Sequence, residues 1–128
     1  MSPELIKYKQ LVLTQDREVG GLANNSIYHV LTGHPEIEKW AITKEEKARI
    51  GLIEVGHDFS ATLGPWVVYH HLPSQSTVKV CSGFRKPYVE IFGEGRLKAQ
   101  KDLTALVALK GFQLREPLKE ELDITGCT

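Results

Sequence analysis

From residue 50 onward the chain is written largely in a period of two. Val78 and Val80 alternate with polar neighbours, as do Val89 and Ile91. Successive side chains of a strand point to opposite faces, so this pattern describes strands with one face toward a core. Residues 50–63 hold one or two further strands, with Phe59, Ala61 and Leu63 on a shared face. A loop rich in Pro, His, Ser and Gln follows residues 66–69. Residues 103–109 (Leu-Thr-Ala-Leu-Val-Ala-Leu) are apolar on both faces of a two-residue repeat, which predicts a central, buried strand. The tail from Glu116 is charged and predicts fraying or a short helix.

The first fifty residues follow another rhythm. Residues 5–13 read as a first strand, closed by a polar turn that carries Gly20 and Gly21. Paired glycines permit backbone angles that a side chain would forbid. A helix is expected from Asn24 or Asn25, since an asparagine side chain can accept an orphan N–H at a helix start. Ile27, Val30, Leu31 and His34 recur at helical spacing. Gly33 and Pro35 predict a break, with Pro35 opening a second short helix through Trp40, because proline inside a helix removes a hydrogen bond and clashes with the preceding turn. Thr43-Lys44-Glu45-Glu46 spells a capping box. Strand, helical segment and then a run of strands make an α+β pattern, in which an antiparallel sheet can wrap one helix.

Composition bounds the function. The 128 residues suit one domain, residues 1–128, and suffice for a core without disulfide or metal support. Sixteen basic and 16 acidic side chains cancel, so nothing in the balance favours nucleic acid or an anionic membrane. Zero net charge also gives little protection against self-association, which suits a homodimer or homotetramer. Two cysteines, Cys81 and Cys127, make no disulfide framework, and a reducing compartment is expected. The first residues lack the apolar core of a secretory signal, and no stretch reaches the ~20 apolar residues that span a bilayer. These features predict a soluble cytoplasmic protein.

The chemistry concentrates in Asp16-Arg17-Glu18-Val19-Gly20-Gly21-Leu22-Ala23-Asn24-Asn25-Ser26-Ile27-Tyr28. This segment resembles the signature of hotdog-fold acyl-CoA thioesterases of the 4-hydroxybenzoyl-CoA thioesterase type, Asp-x-Asp-x-x-Gly-His-Val-Asn-Asn-x-x-Tyr. The alignment needs no gap. Asp16 and Glu18 match the two acids, Gly21 the glycine, Asn24 and Asn25 the asparagine pair, and Tyr28 the tyrosine. Glu18 stands where the family has Asp, and Leu22-Ala23 where it has His-Val.

The resemblance implies a hotdog fold and hydrolysis of an acyl thioester of coenzyme A or acyl carrier protein, with no cofactor and no metal. It implies that Glu18 attacks the thioester carbonyl or activates a water, with Asp16 beside it. By the same resemblance the main-chain N–H of Asn25 would polarise the carbonyl oxygen, and Gly20, Gly21, Asn24 and Tyr28 would contact substrate. The physics agrees: a carbonyl gains negative charge as it becomes tetrahedral, and a helix start offers unsatisfied N–H groups and a positive dipole end. A carboxylate just upstream can face the same point, and burial would strengthen it as a base.

Other groups have plainer readings. Asp16 and Glu18 also suit a solvated turn, Asn24 and Asn25 suit caps, and Tyr28 suits a core or interface. His70 and His71 are adjacent and should face opposite ways in a strand, so they make a poor metal pair. The same holds for His57 and Asp58 as a catalytic couple. Packing is the default for Cys81. Arg85, Lys86, Arg96, Lys98 and Lys101 are scattered near expected strand ends, as solvated loop charge would be. A hotdog domain that binds acyl thioesters without cleaving them, as sensor or scaffold, is the alternative function. A hydratase is disfavoured, because its Asp-x-Asn-Pro-x-His arrangement is missing.

Overall fold

A computed structural model describes residues 10–15, 27–32, 41–61, 64–82 and 87–116. Among these lie, in chain order, β1 (Gln10–Gln15), α1 (Ile27–Thr32), α2 (Lys44–Arg49), β2 (Leu52–Ser60), β3 (Gly64–His71), β4 (Ser76–Cys81), β5 (Tyr88–Phe92), α3 (Arg96–Ala108) and β6 (Leu114–Arg115). The class is α+β. One six-stranded sheet runs in the order β2-β3-β4-β5-β1-β6, and every described pairing is antiparallel.

The alternation of the strands builds the core. Register sets Tyr69 beside Val78, Val78 beside Ile91, and Ile91 beside Leu11. Val67, Val80, Val89 and Leu13 form the neighbouring row. Residues paired across a sheet share a face, so these rows make one apolar surface. Both α1 and α3 pack on β4 and β5. Ile27, Val30 and Leu31 of α1 are buried, as their helical spacing predicts. The first strand extends to Gln15, and the helix start expected at Asn24 or Asn25 lies outside the described residues. So do the short helix expected for 35–40 and the charged tail beyond Glu116.

The capping box forms as read. Thr43 Oγ1 accepts from the Glu46 N–H at 3.0 Å, and Glu46 Oε1 accepts from the Thr43 N–H at 2.8 Å. Two orphan donors are thereby satisfied at the start of α2. Gly51, with φ of 75°, then turns the chain from α2 into β2. Pro73 closes against it so tightly that a Cβ would lie 2.6 Å from the Pro73 Cδ.

Two expectations require correction. Residues 103–108 lie in α3, not in a central strand, and Leu109 caps its end. The buried residues are Ala99, Leu103, Leu106 and Val107, which follow helical spacing. Ala105, Ala108 and Leu109 are exposed; their apolar character made the run look buried on both faces. Arg96, Lys98 and Lys101 accordingly sit on a helix and not at strand ends. The second correction concerns Phe59 and Ala61. Phe59 is 67% exposed near the end of β2, and Ala61 lies past the strand in an exposed turn. The strand ends at Ser60, so Phe59 and Ala61 do not share a strand face, and Leu63 lies outside the described residues. The strand after Gly64 also runs two residues beyond Tyr69, to His71, before the turn at 72–75.

Candidate functional site

Of the residues singled out by the signature, Asp16, Glu18, Gly20, Gly21, Asn24 and Asn25 lie outside the described residues. Their surroundings are described: β1 ends at Gln15 and α1 is helical from Ile27. The segment thus connects a core strand to a helix packed on the same sheet. Tyr28, in the first turn of α1, is half-buried and packs against the hydrophobic core. Its ring meets His29 edge-on, with centroids 5.3 Å apart. Burial, with the Cys81 thiol adding to it, pushes the Tyr28 hydroxyl above its usual value.

At the far end of α1 a cavity of about 630 Å³ opens, within the size range of small-molecule sites. Its wall runs from Thr32 through Ala41, Ile42 and Thr43, along α2 at Lys44, Lys47 and Ala48, and over Leu52, Ile53 and Glu54 of β2 to Tyr69 of β3. Lys47 is the unusual member, only 9% exposed. Its Nζ donates to the Leu31 carbonyl at 2.7 Å and to the Tyr69 hydroxyl at 3.2 Å, and stands 5.0 Å from the centre of the Tyr69 ring. The Tyr69 hydroxyl donates to the same carbonyl at 3.3 Å.

That carbonyl belongs to the last turn of α1, where acceptors lack helical partners and a cation is favoured. Lys47 therefore closes α1 as well as lining the cavity. Desolvation pulls the Lys47 ammonium below its ordinary value; Glu54 counters this and Lys44 adds to it. Desolvation, with Glu54 and Tyr28, pushes the Tyr69 hydroxyl well above the usual tyrosine range. Nothing in the sequence marks Lys47 apart from Lys44. Only packing buries one and exposes the other.

A second polar cluster lies behind the turn between β3 and β4. His71 is 1% exposed, and its adjacent partner His70 is not buried, as strand geometry predicts. His71 Nε2 donates to Asp102 Oδ2 at 2.9 Å, Nδ1 meets Ser74 Oγ at 2.5 Å, and the Ser74 and Ser76 hydroxyls meet at 2.9 Å. Lys98 also donates to Asp102, at 2.9 Å. These are the residue types of a nucleophilic triad, but the packing argues for a tie. A Cβ on Gly95 would lie 2.5 Å from the Ser74 carbonyl oxygen and 2.7 Å from its Cβ. The start of α3 thus packs directly against Ser74. None of these residues lines the cavity. The network fastens α3 to the β3–β4 turn.

The tie carries a charge dependence. Desolvation alone would raise the Asp102 carboxyl, but hydrogen bonds and charge from Lys98 and His71 outweigh it and hold the group low. A carboxyl held low in the folded chain contributes stability above its unfolded value of roughly 4, and that contribution is lost as pH falls through the folded value. Asp102→Asn should therefore cost about 1–2 kcal/mol at pH 7, the scale of a charge-assisted hydrogen bond. In thermal melts the gap between Asp102→Asn and the parent should narrow below about pH 4. A gap as wide at pH 3 as at pH 7 would show that shape, not charge, matters there.

The remaining candidates are inert by geometry. Cys81 is buried with a free thiol. Desolvation pushes that thiol up to about 11, although a hydrogen bond with Tyr88 opposes the rise, so little thiolate forms. His57 and Asp58 are exposed neighbours on β2, and Asp58 accepts a hydrogen bond from the Phe59 N–H at 2.8 Å. Among the described residues no group of three His, Cys, Asp or Glu side chains could hold a metal. No helix there is long and apolar enough to cross a membrane.

Comparison with known protein families, curated proteins and solved structures finds no match. The functional reading of this chain therefore stands on its own residues.

Proposed function

We propose that the chain is a hotdog-type domain that hydrolyses an acyl thioester of coenzyme A or an acyl carrier protein. Glu18 is its general base or nucleophile, and the Asn25 N–H polarises the carbonyl. The observation that carries this reading is the position of the Asp16–Tyr28 segment between the end of β1 at Gln15 and the helical turn from Ile27. A carboxylate on such a connection can face the N–H groups of the helix start, where a developing oxyanion is stabilised. An antiparallel sheet with α1 packed on β4 and β5 is also the kind of arrangement a hotdog fold requires.

The test is hydrolysis of a panel of acyl-CoA and acyl-carrier thioesters, monitored by thiol release. Turnover that depends on Glu18 supports the proposal. Saturable binding without turnover assigns the chain to the sensor or scaffold class instead.

In this reading the protein works as a homodimer or higher homo-oligomer. The support is β2, a nine-residue strand at the edge of the described sheet, with Ile53, Val55 and Phe59 exposed at 42%, 62% and 67%. A long edge strand with exposed apolar side chains invites pairing, and a symmetric dimer is the commonest closed solution. Light scattering at micromolar concentration should give at least twice the chain mass of 14.4 kDa. A monomer mass would refute the assembly.

A further inference from the structure

We infer that the cavity bounded by the end of α1, by α2 and by β2 and β3 binds a small organic carboxylate with an apolar body, and that Lys47 is its cation. The inference concerns this cavity alone and does not rest on Glu18 or on thioester cleavage.

Charge and hydrogen bonding together point to such a ligand. Lys47 is nine-tenths buried, yet its described partners are a neutral carbonyl and a neutral hydroxyl. An ammonium offers three protons, so one remains for a further acceptor. A buried charge without an ion pair in direct contact is costly, and an anion brought to it offsets that cost. Among the described lining residues Lys44 and Lys47 are the cations and Glu54 is the acid. Glu54 stays exposed on the edge strand and makes no described ion pair with Lys47.

The rest of the wall sets the ligand's shape. Ala41, Ile42, Leu52 and Ile53 supply apolar surface. Thr32 donates to the Tyr28 carbonyl at 2.7 Å, and Thr43 Oγ1 accepts from the Glu46 N–H at 3.0 Å. One carboxylate joined to an aliphatic or aromatic body matches one ammonium beside an apolar wall.

Isothermal titration tests this with octanoate and benzoate against their uncharged isosteres, octanamide and benzamide. The acids should bind saturably, one per chain, and roughly tenfold more tightly than the amides, the worth of one charge-assisted hydrogen bond. Lys47→Met should bring acid and amide to within about twofold of each other, and Lys47→Arg should keep the preference. If Lys47 serves only to close α1, the parent protein will bind acids no better than amides, or neither up to millimolar concentration. Either result overturns the inference. Because the acid-to-amide ratio is read on the parent protein, a Lys47→Met variant that fails to fold does not blunt the test. No thioester enters the assay, so failure here leaves the hydrolysis proposal standing, and success does not establish it.

Discussion

Val107→Asp should unfold the protein or lower its stability by several kcal/mol, most of the roughly 5–15 kcal/mol that a domain of this kind possesses. Val107 is 0% exposed and belongs to the central core cluster with Leu103 and Leu106. Its carbonyl also accepts from the N–H groups of Lys110 and Phe112, both at 3.1 Å, so the residue anchors the exit from α3. A carboxylate at this point has no described cation to pair with and must either stay charged in apolar surroundings or take up a proton. Ala105→Asp is the matched control. Ala105 is exposed on the same helix, and surface changes of this sort stay within about 0.5 kcal/mol, with helix propensity adding a few tenths. On a strand, 105 and 107 would share a face and the two variants would be equally damaging. Chemical denaturation of the pair therefore measures the helical periodicity directly: a harmless Val107→Asp, or a ruinous Ala105→Asp, would contradict α3.

The second large effect is expected at Glu18. Glu18→Gln keeps size and hydrogen-bonding capacity but removes the charge. If Glu18 is the base or nucleophile, thioester hydrolysis should fall by roughly 10²–10⁴. The loss should appear in kcat with KM little changed, because the charge acts mainly in the transition state. Asp16→Asn should cost less, as Asp16 lies two residues from the assigned carboxylate. Glu18→Asp probes the geometry more finely. It restores the residue usual in the resembling family but withdraws the carboxylate by one methylene. Activity should drop if the backbone is adapted to Glu, and much should survive if the family geometry is kept. Hydrolysis indifferent to Glu18→Gln would end the assignment and direct attention to Asp16.

Features with a local cause were legible in the chain. The capping box at Thr43 and Glu46 depends on four consecutive residues. Alternation at Val78, Val80, Val89 and Ile91 specifies strand and face together, because a one-residue slip would turn every apolar side chain to water. The opposite orientation of His70 and His71 follows from the same geometry. Ile27, Val30 and Leu31 announced the buried face of α1. Residues 103–109 misled because a short apolar run satisfies both a two-residue and a 3.6-residue period. Exposed Ala105, Ala108 and Leu109 concealed which of the two applied.

What the sequence by itself determined was therefore the α+β pattern, the alternation that sets which face of β4 and β5 turns to the core, and one helix start, each read from the spacing of residues near one another in the chain. Tertiary structure alone decided the rest. It made 103–108 a helix, because only packing against β4 and β5 selects Leu103, Leu106 and Val107 as the inward face. It set His71 on Asp102, 31 positions away, and brought Lys47 to the Leu31 carbonyl and the Tyr69 hydroxyl across 16 and 22 positions. A lysine is ordinarily solvated, and nothing within its own helical turn gives a reason to bury it. The reason is an unsatisfied carbonyl at the end of another helix, and that carbonyl becomes its neighbour only once the chain has folded.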